Sequence, residues 1–224
     1  MYIGQHSGID SNGLLILGAG GHAKTLIDLV RQTHHYSLIG LVADPLPPTP
    51  DVLGVPVLGG EELLPNLHEQ GFRLIANGVG SPHRNRTRQE IFVRLADYGF
   101  TCPTLVHSRA AVEPSAVLGP GVQVLGMAFV GSHVRVGFGA IVNLGAIASH
   151  DCVIGDFAHV AAGAVLSGCV EVGTGALIGA GASVASGVKI GEWAQIGMGA
   201  QIEADVPPNA TIEAGITWPG LARP

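Results

Sequence analysis

Two adjacent residues, His150 and Asp151, offer the most direct chemistry in this sequence. A neutral imidazole, with an unperturbed pKa near 6.5, can take a proton from an attacking amine or hydroxyl at pH 7. A carboxylate beside it can hold one ring tautomer and stabilise the imidazolium that forms. The flanks carry few charges. Asn143-Leu144-Gly145-Ala146-Ile147-Ala148-Ser149 leads in, and Cys152-Val153-Ile154-Gly155-Asp156-Phe157-Ala158-His159 follows. His159, nine residues on, reads as an outward-facing second donor.

The elements that must position this pair form a repeat. Steps of six from Val106 to Ile202 visit seventeen positions, and sixteen of them are Val, Ile or Leu. The exception is Ala148, two residues before the histidine, which suggests a local departure from the frame. The residue four further on is Ala, Val or Cys in every unit, and glycine often follows the aliphatic position, as at Gly119, Gly155 and Gly191. A period of six is too short for a helical solenoid and matches the hexapeptide repeat of a parallel β-helix. The aliphatic residue points into the core, the small residue fits a narrow corner, and glycine relieves the backbone there. Three units close one triangular coil, so residues 18 apart stack at about 4.8 Å. His133, Asp151 and Cys169 then share one column, and Ser132, His150 and Gly168 another. A carboxylate lies between two histidines, and Gly168 should leave open space for a ligand above His150.

The first half reads as a small Rossmann-like α/β domain. Leu14 to Leu17 is a buried-strand run, followed by Gly18-Ala19-Gly20-Gly21-His22-Ala23 and a helical stripe of Ala23, Leu26, Ile27 and Val30. Leu38 to Ala43 reads as a second strand, ending at Asp44 and a proline-rich loop, and Arg73 to Ala76 as a third. Ser81-Pro82 opens a further helix whose stripe of Ile91, Leu95 and Tyr98 stops at Gly99. Strands alternating with helices imply a parallel sheet. Gly18-x-Gly20-x-x-Ala23 between strand and helix is a phosphate-cradling pattern. Asp44, 24 residues after Gly20, stands where an acid could take a ribose hydroxyl. The loop containing Gly78 and Gly80 follows the third strand and should share that cleft. Among Arg84, Arg86, Arg88 and Arg94, one could meet a pyrophosphate, and the rest read as a solvated helix face. About 100 residues is half of a full dinucleotide fold, so a single nucleotide carried on a sugar fits better than NAD.

The boundaries this implies are 1–104 for the α/β domain, 105–206 for the β-helix and 207–224 for a C-terminal tail. Of 224 residues, 34 are glycine, 12% are charged and 5% are aromatic. No apolar run of about 20 residues escapes interruption, so no membrane insertion is expected. Met1 to Asn12 lacks the basic and apolar regions of a signal peptide. A net charge of −6 argues against a nucleic-acid partner. Cys102, Cys152 and Cys169 form no CxxC pair, which favours a reducing cytoplasm over a disulfide framework.

The hexapeptide frame resembles the left-handed parallel β-helix of the hexapeptide-repeat acyltransferases, and the left hand is implied by that resemblance. Residues 13 to 206 as a whole resemble the bacterial nucleotide-sugar acetyltransferases of the bacillosamine-pathway and sialic-acid O-acetyltransferase type. The motifs that carry this are the Gly-Ala-Gly-Gly-His-Ala opening and the stretch from Asn143 through Ser149-His150-Asp151 to Val160. The resemblance implies transfer of an acetyl group from acetyl-CoA to the amino group of a nucleotide-linked sugar. His150 would be the general base and Asp151 its acidic partner, in place of the family's glutamate. Acetyl-CoA contacts would fall on His159, Gly168, Ala180, Met198 and Gly199. The nucleotide sugar would meet Gly18, Gly20, Gly21, His22, Asp44, Gly78, Gly80 and Asn143. No metal is expected. Family members are typically trimers, and flat apolar faces packed about a threefold axis would set His150 against His159 or Asn143 of a neighbour. The family's C-terminal basic run has only a loose counterpart in Gly220-Leu221-Ala222-Arg223.

Three rivals share these features. A sugar hydroxyl, as in sialic acid, could replace the amine as acceptor. A zinc carbonic anhydrase uses a similar solenoid, but the spacing of His133, His150 and His159 does not suit its three ligands. A non-catalytic trimeric scaffold would have no use for an exposed His-Asp pair.

Overall fold

The computed structural model describes residues 12–80 and 85–219. Ser81-Pro82, Arg84 and the Gly220–Arg223 stretch lie outside the described residues. The described chain forms two compact units. One contains the residues up to Val79 together with Ile91–Pro103, and the other contains Gly80, residues 85–90 and the chain from Thr104.

In the first unit, β1 (Gly13–Leu17) is buried at all five positions, as its aliphatic run requires. Helix α1 (Gly21–Thr33) buries Ala23, Leu26, Ile27, Leu29 and Val30 and ends at His34, in the left-handed conformation, whose N–H donates to Val30 O. β2 (Ser37–Val42) lies parallel to β1. The chain then makes a hairpin that the sequence pattern did not reveal, β3 (Asp51–Val52) and β4 (Val55–Gly59). Leu53 and Gly54 turn it with φ of 53° and 73°. Two successive positive φ values are what a tight hairpin needs. Helix α2 (Leu64–Glu69), β5 (Leu74–Asn77) and α3 (Asn85–Asp97) follow, with residues 85–90 of α3 grouped in the second unit. The sheet order is β3-β4-β2-β1-β5, parallel except for β3. Ile91 and Leu95 are buried as expected, but Tyr98 is exposed, because α3 ends at Asp97 and leaves Tyr98 past its last turn.

The second unit is a left-handed parallel β-helix. Two-residue strands from Leu105–Val106 to Gln201–Ile202 stack in three sheets, each strand paired to one 18 residues away, as Val130 is to Val112 and Ala148. Val124, Val142, Val160 and Ile178 fill the axis with Ala140, Ala158 and Ala176, all with no exposure. The frame is not broken at residue 148. Strand Ile147–Ala148 pairs on both sides and Ala148 is fully buried, so only side-chain volume is lost there. The strands also run beyond 206. Ile190 bridges Val206, Gln195 pairs with Thr211 and Gln201 with Thr217, a step of 16 in place of 18. Two residues are missing between Ile202 and Val206, after which the six-residue spacing resumes at Ile212 and Trp218.

Candidate functional site

The corner that follows strand Ile147–Ala148 holds the expected pair. Asp151 takes the left-handed conformation, φ 59°, and so do His133 at 59° and Cys169 at 62°, the residues one coil before and after it. Non-glycine residues adopt this conformation rarely, and the corner hydrogen bonds hold them in it. Asp151 N–H donates to Ser132 O at 2.9 Å, and Cys169 N–H donates to His150 O at 2.9 Å. Both expected columns are present.

His150 Nδ1 lies 2.8 Å from Asp151 Oδ2. That hydrogen bond is the main cause that holds the Asp151 carboxyl below the usual aspartate range. An ionised carboxylate has no proton to give, so Nδ1–H donates, and in the neutral ring the lone pair is then on Nε2. Both side chains are solvent-accessible. His133 Nδ1 stands 3.6 Å from the other oxygen, Oδ1. The carboxylate therefore does sit between two histidines.

Gly168 does not leave space for a ligand above His150. A β-carbon built on it would fall 2.5 Å from Cε1 and Nε2 of His150, so the imidazole itself occupies that volume. Cys169, exposed at the same corner, brings its Sγ near the pair. One donor atom each from His150, Asp151 and Cys169 lie within 4.8 Å of one another.

His159 is buried, contrary to the outward reading. It opens strand His159–Val160, on a different face from Ile147–Ala148, and the first strand position on its face is also buried at Gln123, Ile141 and Leu177. Asn143 Nδ2 lies 3.0 Å from His159 Nε2, while Asn143 Oδ1 accepts from Leu144 N–H at 2.8 Å. Asn143 thus donates to Nε2. Ala180, Met198 and Gly199 meet on one corner, where Gly199 N–H donates to Ala180 O at 2.9 Å. Gly163, Gly181 and Gly199 share a φ of 66° there with open space where side chains would stand, and Met198 is exposed.

In the α/β unit, the loops after β1 and β5 touch backbone to backbone. Gly78 N–H donates to Leu17 O at 2.7 Å, and a β-carbon on Gly78 would come within 2.6 Å of that oxygen. Gly18, φ 104°, faces Gly78. Gly20 caps α1 without a side-chain hydrogen bond, and the space beside Gly20 and Gly21 is open. The start of α1, where His22 is half-buried, thus presents amides to an open cradle. Asp44 has a second task, since its Oδ2 accepts from Glu61 N–H at 2.8 Å. Gly80 groups with the second unit.

Arg88 departs most from expectation. Arg88 is fully buried and donates to Gly139 O at 2.5 Å and to Phe157 O at 3.3 Å. Burial pulls its pKa down to about 10, so it stays charged at neutral pH. Arg86 lies over the Trp193 ring at 4.3 Å, and Arg94 pairs with Glu61 at 3.1 Å. Arg88 is not a solvated cation, whereas Arg86 and Arg94 are exposed on α3, as a solvated helix face requires. Nothing local distinguishes Arg88 from its neighbours in the sequence, because its partners lie 51 and 69 residues away.

Residues 13–95 match the family model described as the PglD N-terminal domain. PerB from Caulobacter crescentus, solved in complex with CoA and GDP-perosamine, is 35% identical, with a TM-score of 0.84 over 92% of this chain and 96% of that one. The acetyltransferase domain of PglB from Neisseria gonorrhoeae, solved with acetyl coenzyme A, is 35% identical, with a TM-score of 0.82 over 90% and 96%. WeeI from Acinetobacter baumannii, at 24% identity and a TM-score of 0.77 over 88% and 94%, shares the fold.

Proposed function

The chain belongs to the hexapeptide-repeat nucleotide-sugar acetyltransferases, and from that premise we propose that it acetylates the amino group of a nucleotide-linked amino sugar with acetyl-CoA. The observation that carries the mechanism is the 2.8 Å contact from His150 Nδ1 to Asp151 Oδ2, which leaves Nε2 as the proton acceptor. The sugar nitrogen attacks the thioester carbonyl and forms a C–N bond. Nε2 takes the proton that the nitrogen must lose. The C–S bond breaks, and the imidazolium returns the proton to the departing CoA sulfur. Asp151 keeps the ring in the right tautomer and stabilises its transient charge.

The nucleotide end fits the open cradle at Gly18, Gly20, Gly21 and His22, closed from the β5 side by Gly78, with Asp44 offering its remaining oxygen to a ribose. The pantetheine arm fits the glycine-lined corner of Ala180, Met198 and Gly199, and Gly168 seats the base beside the acetyl group. Asn143 and buried His159 act as one hydrogen-bonded unit, which a bound thioester or sugar meets through the half-buried Asn143. A homotrimer with sites between subunits, in the cytoplasm, completes the reading. Exposed Val117, Ile147 and Val153 on the coil support an assembly that covers them. Among the described residues no helix is long and apolar enough to cross a membrane.

The test offers acetyl-CoA with UDP-, GDP-, dTDP- and CMP-linked amino sugars, reads thiol release, and identifies the product by mass. Turnover of at least one amino sugar, lost in His150→Ala, is expected. Turnover of none of these amino sugars, or turnover unchanged in His150→Ala, overturns the proposal.

A further inference from the structure

We propose that the corner formed by His150, Asp151 and Cys169 binds Zn2+, and that the bound ion switches the transferase off. The second half rests on His150 being the base, as argued above, and the first half does not.

The donor set comes first. An imidazole nitrogen, a carboxylate oxygen and a thiol sulfur, one from each residue, lie within 4.8 Å of one another, and all three residues are exposed. Zinc accepts all three donor types, whereas Mg2+ and Ca2+ prefer oxygen alone. Zinc bonds of roughly 2.0 to 2.3 Å place ligand atoms closer together than this, by about 1 Å. Exposed side chains can make up that difference by small rotations without moving the core.

The backbone fixes where the donors start. Asp151 and Cys169 stand on successive coils of one corner column, and the Cys169 amide is tied to the His150 carbonyl at 2.9 Å. One coil before, the His133 ring nitrogen is 3.6 Å from Asp151 Oδ1, within reach of the fourth position, which water can otherwise fill.

Neither the backbone nor the acetyl-transfer chemistry explains a thiol at 169. The next corner of the same column carries Gly187 with φ 73°, the residue type that this conformation favours. A cysteine held in that conformation, solvent-exposed and beside the base, gains a purpose as a ligand. An ion held by either ring nitrogen ends base catalysis. On Nε2 it takes the lone pair, and on Nδ1 it displaces the proton that Asp151 holds.

Two readouts on the intact protein test this, each with the metal salt alone. Co2+ should give a thiolate-to-metal absorption band that is absent in Cys169→Ser and Cys169→Gly, the glycine being suited to the left-handed corner. Zn2+ should displace the Co2+ spectrum. In the transfer assay, Zn2+ should inhibit the wild type reversibly, with EDTA restoring turnover. Either Cys169 variant should keep basal activity and need at least tenfold more Zn2+ for the same inhibition. Absence of a Cys169-dependent band overturns the site. A Cys169-dependent band with turnover unaffected by bound Zn2+ overturns the switch. The spectral experiment needs no substrate, so it decides the site even if the transferase reading fails.

Discussion

The His150 imidazole rests in the volume that a side chain on Gly168 would fill, 2.5 Å from the position of the missing β-carbon. Glycine is needed at 168 for room, not for backbone freedom, since its φ lies outside the left-handed range while the adjacent Cys169 is the residue at 62°. Gly168→Ala should therefore push the ring out of place while the coil folds normally. We expect kcat to fall about 10²-fold, the cost of a misplacement near 1 Å, with stability changed by less than about 0.5 kcal/mol. Steady-state kinetics beside urea unfolding checks both. A variant with full kcat would show that the ring position is irrelevant to turnover.

His150→Ala should lose about 10²- to 10⁴-fold in kcat, the usual range for a general base. Asp151→Asn should lose about 10²- to 10⁴-fold, because the amide neither stabilises imidazolium nor enforces the same tautomer. KM should change little in either variant. The decisive comparison is the double variant, which should be no worse than His150→Ala alone, since Asp151 works through the ring.

Asp151 also makes a pH signature. Its folded pKa is lowered, with the His150 hydrogen bond as the largest cause. The interaction therefore contributes stability above the unfolded aspartate value of about 3.9, and that contribution is lost as pH falls through the lower folded value. Titration of the Asp151 carboxyl carbon by NMR should give a midpoint below about 3.9. In His150→Ala the midpoint should rise. An unmoved midpoint would mean that the 2.8 Å contact is not what holds the charge.

Arg88 should matter to folding and not to chemistry. Arg88→Met keeps the bulk but leaves the Gly139 and Phe157 carbonyls without this donor. An unsatisfied buried group costs about 1–3 kcal/mol, so with the Gly139 carbonyl buried we expect a loss of at least about 1–3 kcal/mol in denaturant unfolding. Turnover per folded molecule should be unaffected at temperatures well below the transition.

The three thiols should separate by reactivity. Burial pushes Cys102 up to about 12 and raises Cys152 as well, while Cys169 is exposed. Reaction follows the thiolate. Alkylation at pH 8 of the native protein should modify Cys169 quickly and the other two only on unfolding, as read by mass spectrometry. Fast labelling of Cys102 would contradict its burial.

Much of this molecule is legible in the order of its residues because its controlling patterns are local. A period of six repeated from Val106 to Ile202 leaves one way to bury the aliphatic positions, and the 18-residue coil then stacks His133 with Asp151 and Ser132 with His150. The run Leu14–Leu17, the glycine turn and the stripe of α1 are equally local. The hairpin at Leu53-Gly54 escaped because leucine carries no signal for the left-handed conformation. The shortened step after Ile202 hid behind a change of two residues, though Ile212 and Trp218 resume the spacing.

What the sequence alone determined, then, is the solenoid, the cradle at the start of α1 and the adjacency of an imidazole and an acid on one corner. Only the tertiary structure decided that the ring fills the gap over Gly168, that His159 is covered, and that Arg88 is bound to distant carbonyls. The physical reason is range. Periodicity sets which backbone positions stack, since each coil repeats the last, but the direction of a corner side chain and the cover over a face depend on groups many coils or residues away. Those contacts leave no period to read.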